Sequence, residues 1–132
     1  MIKELMGTWF LKDSKYILTT GERLYPFGEI PTGLLMYDPN GWMSVHLTPL
    51  VEGHYHGYFG RYEVFPEDKI IKHYMQHCSD AHLAGSTQIR EFDLSGDLLT
   101  LTARNLAVSD TQVAELISIE WERQAYKSPQ IG

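Results

Sequence analysis

From Gly7 to Arg123 the chain alternates apolar and polar residues with a period of two, broken by turn-forming residues every eight to fifteen positions. That period places successive side chains on opposite faces of an extended backbone, so it dictates strands. Candidate strands lie at about 7–18, 33–38, 42–48, 57–65, 69–77, 86–94, 97–103 and 115–123. No stretch carries three turns of helical periodicity. Ile2 to Met6 can form one short helical turn, and Asn105 to Ala114 reads as a polar loop. Helices therefore cannot cover the sheet. The turn signals Tyr25-Pro26-Phe27-Gly28, Asp38-Pro39-Asn40-Gly41, Pro66-Glu67-Asp68 and Ser95-Gly96 are short, which makes consecutive strands antiparallel neighbours. An open sheet of about eight strands would leave two unpaired edges, so the all-β chain must curl into an up-and-down barrel or divide into a sandwich. Spacing alone does not choose between them.

A chain of 132 residues, 43% of them hydrophobic and including three Trp, eight Tyr and five Phe, suffices for one core. Residues 1–132 read as one domain, with its core over about 4–124 and a tail at 125–132. A formal net charge of −6 without a cluster of Lys or Arg opposes binding to nucleic acid or to an anionic membrane surface. Met1 to Met6 lacks the apolar core of a signal peptide, and nowhere do 18 apolar residues run together, so a cytoplasmic address is expected. Cys78 is the only cysteine, which excludes an internal disulfide and a thiolate metal cage. His77 beside it would face the other way on a strand, so Cys78 reads as a plain thiol.

Charge shows which parity of each strand is solvated. Arg61 and Glu63 turn Tyr58, Gly60, Tyr62 and Val64 inward; Lys72 and Gln76 turn Ile71, His73, Met75 and His77 inward. Glu91 and Asp93 leave Gln88, Arg90, Phe92 and Leu94 on the inner face of their strand. That strand has one polar end and one apolar end. Beside 70–77 it would bring His73, Gln88 and Arg90 into one interior region, where no acidic residue shares the inner faces. Arg90 must then reach solvent at a rim, be satisfied by backbone, Tyr hydroxyls or water, or meet a ligand with an acidic or carbonyl end. In 42–48 the apolar set Met43, Val45 and Leu47 is expected inside. The opposite facing would instead add Trp42, Ser44 and His46 to the pocket.

His73, with Tyr58 or Tyr62 and Arg90 nearby, is a candidate set for moving a proton, orienting a substrate and holding an oxyanion. The same residues would equally bind a carboxylate and do nothing more. His54-Tyr55-His56 has the spacing of a metal-binding pair, but the cupin pattern that begins this way needs an earlier Glu than Glu63, and a surface loop is the plainer account. His73 and His77, about 13 Å apart along a strand, are too distant to share an ion. No metal and no cofactor is expected. No Gly-x-Ser-x-Gly, His-Glu-x-x-His or Gly-rich phosphate loop occurs.

Read in order, Gly7-Thr8-Trp9, Tyr25-Pro26-Phe27-Gly28, Gly33-Leu34-Leu35-Met36-Tyr37, Gly41-Trp42-Met43-Ser44-Val45, Gly60-Arg61-Tyr62-Glu63-Val64 and Gln88-Ile89-Arg90-Glu91-Phe92 resemble the bacterial and fungal lipocalin-like domain family. The likeness runs from about residue 4 to 123. It implies a calycin-type barrel with a lumen open at one end, in which the Trp of the first strand packs across the closed end and an Arg of the last strand lies over it. Trp9 and Arg123 match those positions, and Gly7 would allow the entering backbone to cross close to the floor. Residues 49–57 share no motif with the family. Its members are known mainly by their fold, and some, encoded beside secondary-metabolism genes, are barrels of a kind that serves as a cyclase or isomerase.

The combined expectation is a barrel that binds a small hydrophobic molecule with an acidic or carbonyl end. Tyr58, Tyr62, His73, Met75, Gln88, Arg90, Ser44 and His46 are the candidate ligand contacts, His73 is the candidate catalytic residue, and isomerising or cyclising chemistry is left open. A barrel filled by its own side chains is the second account, and a metal-dependent enzyme using His54 and His56 the third. An exposed Trp42 or Tyr74 would mark a homodimer face.

Overall fold

The computed structural model describes residues 3–48 and 55–125. A single 3-10 turn, Lys3–Leu5, leads into β1 (Gly7–Leu18), β2 (Arg23–Leu24), β3 (Thr32–Tyr37), β4 (Trp42–Thr48), β5 (His56–Phe65), β6 (Ile70–Cys78), β7 (Thr87–Ser95), β8 (Leu98–Ala107) and β9 (Val113–Arg123). Every pairing is antiparallel, in the order β1-β3-β4-β5-β6-β7-β8-β9, and β9 returns to β1. Eight strands close a barrel. β2 is a two-residue spur on β1, formed where β1 has parted from β3. The polar run after Asn105 is shorter as a loop than its composition suggests, because β8 and β9 keep pairing as far as Ala107 and Val113. Ladder bonds outweigh the modest strand propensity of Asn and Arg there.

The turns follow their residues. Asp38 Oδ1 accepts from the backbone N–H groups of Asn40 and Trp42, both at 2.9 Å, and Gly41 takes a φ of +90° that closes the β3–β4 hairpin. Three bulges change which parity faces inward; the one on β9 leaves Glu115 as an extra residue, so that Ala114 and Ile117 are both buried. On β1 the register shifts between Leu11 and Asp13, so the inward set passes from Trp9 and Leu11 to Ser14, with Tyr16 following it. On β6 Phe59 pairs with His77 but Gly60 pairs with Met75, leaving Gln76 as the extra residue. This bulge corrects the expectation for His77. The side chain is turned to the outside, its ring 5.3 Å from that of Phe59, while Cys78 moves in against the core. Gly60 makes the bulge possible, since a Cβ there would lie 1.8 Å from the Tyr74 carbonyl oxygen.

One end of the barrel is sealed as the Gly-x-Trp and terminal Arg imply. Trp9 is fully buried and donates from Nε1 to the Leu5 carbonyl at 3.0 Å. The Arg123 guanidinium lies 4.3 Å from the Trp9 ring centroid, donates to the carbonyls of Met6 (3.1 Å) and Glu4, and pairs with Asp97 at 3.3 Å. Gly7 is needed for its φ of +133° rather than for space, because a Cβ there would meet only Arg123 Nη1, at an ordinary 3.7 Å. Together with Leu5 of this plug, Leu35, Tyr37, Ile71, Met75, Leu99 and Trp121 are each at most 2% exposed. Each contributes roughly 1.5–3 kcal/mol by leaving water. Side chains thus fill this half of the barrel. Among the described residues, no helix is long and apolar enough to cross a membrane.

Candidate functional site

The space that remains lies toward the other end, where Val45, Leu47, Leu101, Ile117 and Ile119 supply an apolar wall and Tyr58, His73, Gln88 and Arg90 a polar one. The chamber measures about 110 Å3. It borders a wider vestibule of about 670 Å3 at the mouth, which Ser79, Asp80 and His82 line. Tyr16, Phe27 and His56 line both spaces.

The polar wall is assembled by strand register. Tyr62 on β5 is opposite His73 on β6, and His73 is opposite Gln88 on β7, so three neighbouring strands present their inward parity at one level. Tyr58 donates its hydroxyl proton to Oε1 of Gln88 at 3.1 Å and therefore accepts from Nδ1–H of His73 at 3.0 Å. The neutral ring keeps its lone pair at Nε2, where the Tyr37 hydroxyl donates at 2.6 Å. A directed chain runs from Tyr37 through His73 and Tyr58 to Gln88. Burial holds the His73 pKa down at about 3, and the positive charge of Arg90 adds to the effect. His73 is therefore neutral at physiological pH. Burial drives the Tyr58 pKa well above the phenol range despite the opposing pull of Arg90, so this hydroxyl stays protonated.

Arg90 sits at the edge of this chain. Burial lowers its pKa, while Tyr58 and Tyr16 act the other way. Its Nη1 donates to the carbonyl of Ile89 at 2.9 Å. The salt bridges among the described residues are Arg104–Glu91 and Arg123–Asp97, and neither reaches Arg90. A half-buried guanidinium therefore faces the chamber with donors to spare.

Six of the candidate contacts take the inward parity expected of them, but they do not converge. Tyr58, His73, Gln88 and Arg90 meet at the chamber. Tyr62 instead packs its ring 4.6 Å from Tyr37 and donates to the Asp38 carbonyl at 2.8 Å, and Met75 lies in the packed core. Ser44 and His46 need a correction. Met43, Val45 and Leu47 are the buried side of β4, which puts Ser44 and His46 outside. There Ser44 Oγ meets His46 Nε2 at 2.7 Å, and Tyr55 Oη meets His46 Nδ1 at 2.5 Å. An apolar cleft of about 550 Å3 runs beside them on the outer face, between Phe10, Leu34 and Tyr55. Although larger than the chamber, it includes no residue of the Arg90 cluster, and its polar lining is Thr32, His46, Thr48 and Tyr55. Trp42 and Tyr74 are also outside, at 38% and 36% exposure, in a row with Arg61 of β5 between them. His54 lies outside the described residues, and among those described no three His, Cys, Asp or Glu are grouped so as to hold a metal.

Alternation within single strands does not single out Tyr37, Tyr16 and Phe27, and His56, a metal candidate by its spacing, stands instead at the chamber rim. Tyr37 was legible, since it shares parity with Leu35. Tyr16 was hidden by the β1 bulge, and Phe27 lies in a turn, where no parity exists.

A closed antiparallel barrel with a plugged floor and a polar-walled chamber defines the class as lipocalin-like. A lipocalin-like domain model matches residues 6–124, and the chain belongs to that family. No curated protein matches the chain.

Proposed function

We propose that the barrel binds a small, mainly apolar molecule by an acidic or carbonyl end held at Arg90, with Gln88 and Tyr58 as neighbouring hydrogen-bonding groups. The observation that carries this reading is the Arg90 guanidinium, half-buried at the chamber without a carboxylate partner among the described residues. Such a charge is costly to bury alone, and an anion or a polarised carbonyl offsets that cost through charge-assisted hydrogen bonds. The apolar wall packs against the part of the guest next to that end. In this role His73 fixes the rotamer and proton position of Tyr58. If chemistry accompanies binding, Arg90 and Tyr58 would act on a carbonyl oxygen as electrophiles, because a ring with a pKa of about 3 is a weak base. The lone thiol of Cys78 suits a cytoplasmic setting for this activity.

Isothermal titration with monocarboxylates of increasing chain length tests the reading. Arg90→Leu should weaken the best-bound acid by tenfold or more, about 1.5–3 kcal/mol, at unchanged thermal stability. Equal affinity for the variant would remove Arg90 from the site. The packed lower half of the barrel favours the second reading, a module whose lumen is its own core. Native mass spectrometry of protein purified from its own host separates the two, since a retained small molecule supports binding and a bare chain supports the filled barrel.

A further inference from the structure

Tyr16, Phe27 and His56 line both the chamber and the vestibule, so these three residues stand as a neck between the two spaces. Tyr16 and His56 are fixed on strands β1 and β5. Phe27 is not on a strand: it belongs to the turn in which Gly28 N–H donates to the Tyr25 carbonyl at 3.0 Å, with Gly28 at a φ of +88°. Its ring nonetheless packs against the buried core. The turn thus inserts one aromatic side chain into the open end of an otherwise strand-walled space.

Volume gives this insertion a consequence. The chamber, at about 110 Å3, is smaller than the roughly 150 Å3 apolar cavity that admits a benzene molecule. The vestibule beyond the neck is about 670 Å3. A guest anchored at Arg90 can place only a narrow polar head inside, and any larger body must lie outside Phe27, along His56 and the 79–82 segment. We infer that Phe27 is the specificity-determining residue of the site. It selects elongated molecules whose carboxylate or carbonyl is carried on an unbranched stem, and it rejects those whose polar group is attached directly to a bulky ring system. Discrimination arises from a clash against the wrong guest more than from a contact to the right one. This inference rests on the anchoring role proposed for Arg90.

The test is a calorimetric comparison of octanoate, an unbranched stem, with adamantane-1-carboxylate, whose carboxylate sits on a cage. It is run on the intact protein, on Phe27→Ala and on Arg90→Leu. Phe27→Leu, which preserves more core packing, serves beside Phe27→Ala should the latter unfold. The intact protein should prefer octanoate by at least tenfold, and the Phe27 variants should gain at least tenfold for the cage acid while Arg90→Leu loses both acids. Equal binding of the two acids by the intact protein, still abolished in Arg90→Leu, would overturn the neck and leave the anchor standing. An unchanged preference in the folded Phe27 variants would do the same. No binding of either acid to the intact protein or to any Phe27 variant would overturn the anchor and the neck together.

Discussion

His73 shows how a single buried ring couples folding to pH. In the unfolded chain it titrates near 6.5, whereas in the barrel it stays neutral down to about 3. Between those values the unfolded chain takes up a proton that the folded chain refuses, so stability falls as the pH drops through that window and is flat above it. The slope reaches about 1.4 kcal/mol per pH unit for this one group. His73→Gln keeps a donor and an acceptor between Tyr37 and Tyr58 but does not titrate. Urea midpoints measured across the window should therefore show a shallower acid slope for the variant by close to one proton. An identical slope would mean that His73 is protonated in the folded chain. The residue was readable as inward from the alternation of 70–77, but its partner Tyr37 sits 36 positions earlier. Only the curl of the sheet brings that hydroxyl to Nε2.

At the scale of the element, the bulges decide more than the strands that carry them. A one-residue insertion exchanges the faces of everything beyond it, which is why His77 is outside and Tyr16 inside. Alternation within one strand cannot reveal this, since an extra residue shows only against a partner ladder. Gly60 was the available sign on β5: a glycine among Tyr58, Tyr62 and Val64 marks a close backbone approach. Gly60→Ala would press a methyl group into the Tyr74 carbonyl, 1.8 Å from the ideal Cβ position. Because that neighbour is backbone, relief requires opening the bulge, and we expect a loss of about 3 kcal/mol or more in chemical denaturation. Loss of less than about 1 kcal/mol would show that β5 and β6 can slide apart there without cost. His73 lies on the same β5–β6 ladder and pairs in turn with Gln88 of β7, so if the proposed binding role holds, affinity for the carboxylate probe should fall in parallel.

The whole molecule depends on the meeting of its ends. β1 pairs with β9 over nine residue pairs, and Arg123 ties the last strand to the Lys3–Leu5 turn and the indole of Trp9. Arg123→Ala removes a cation–π contact, an ion pair and two hydrogen bonds to backbone carbonyls, a loss of about 2–4 kcal/mol. Arg123→Lys should recover only part of it, because an ammonium keeps the charge over the ring but not the planar fork. Equal stability of all three proteins in thermal unfolding would show that the plug contributes nothing to closure. The sequence alone determined strands in place of helices, antiparallel order, the turn positions and most inward faces, because period two and turn chemistry are local properties of the chain. It also pointed to the closing pair through the ordered likeness of its motifs to a known family. The tertiary structure decided the size of the lumen, the faces beyond each bulge, the gathering of Tyr37, Tyr58, His73, Gln88 and Arg90, and the insertion of Phe27. Those depend on registers between strands and on how far the sheet curls, quantities set by contacts between residues distant in the chain.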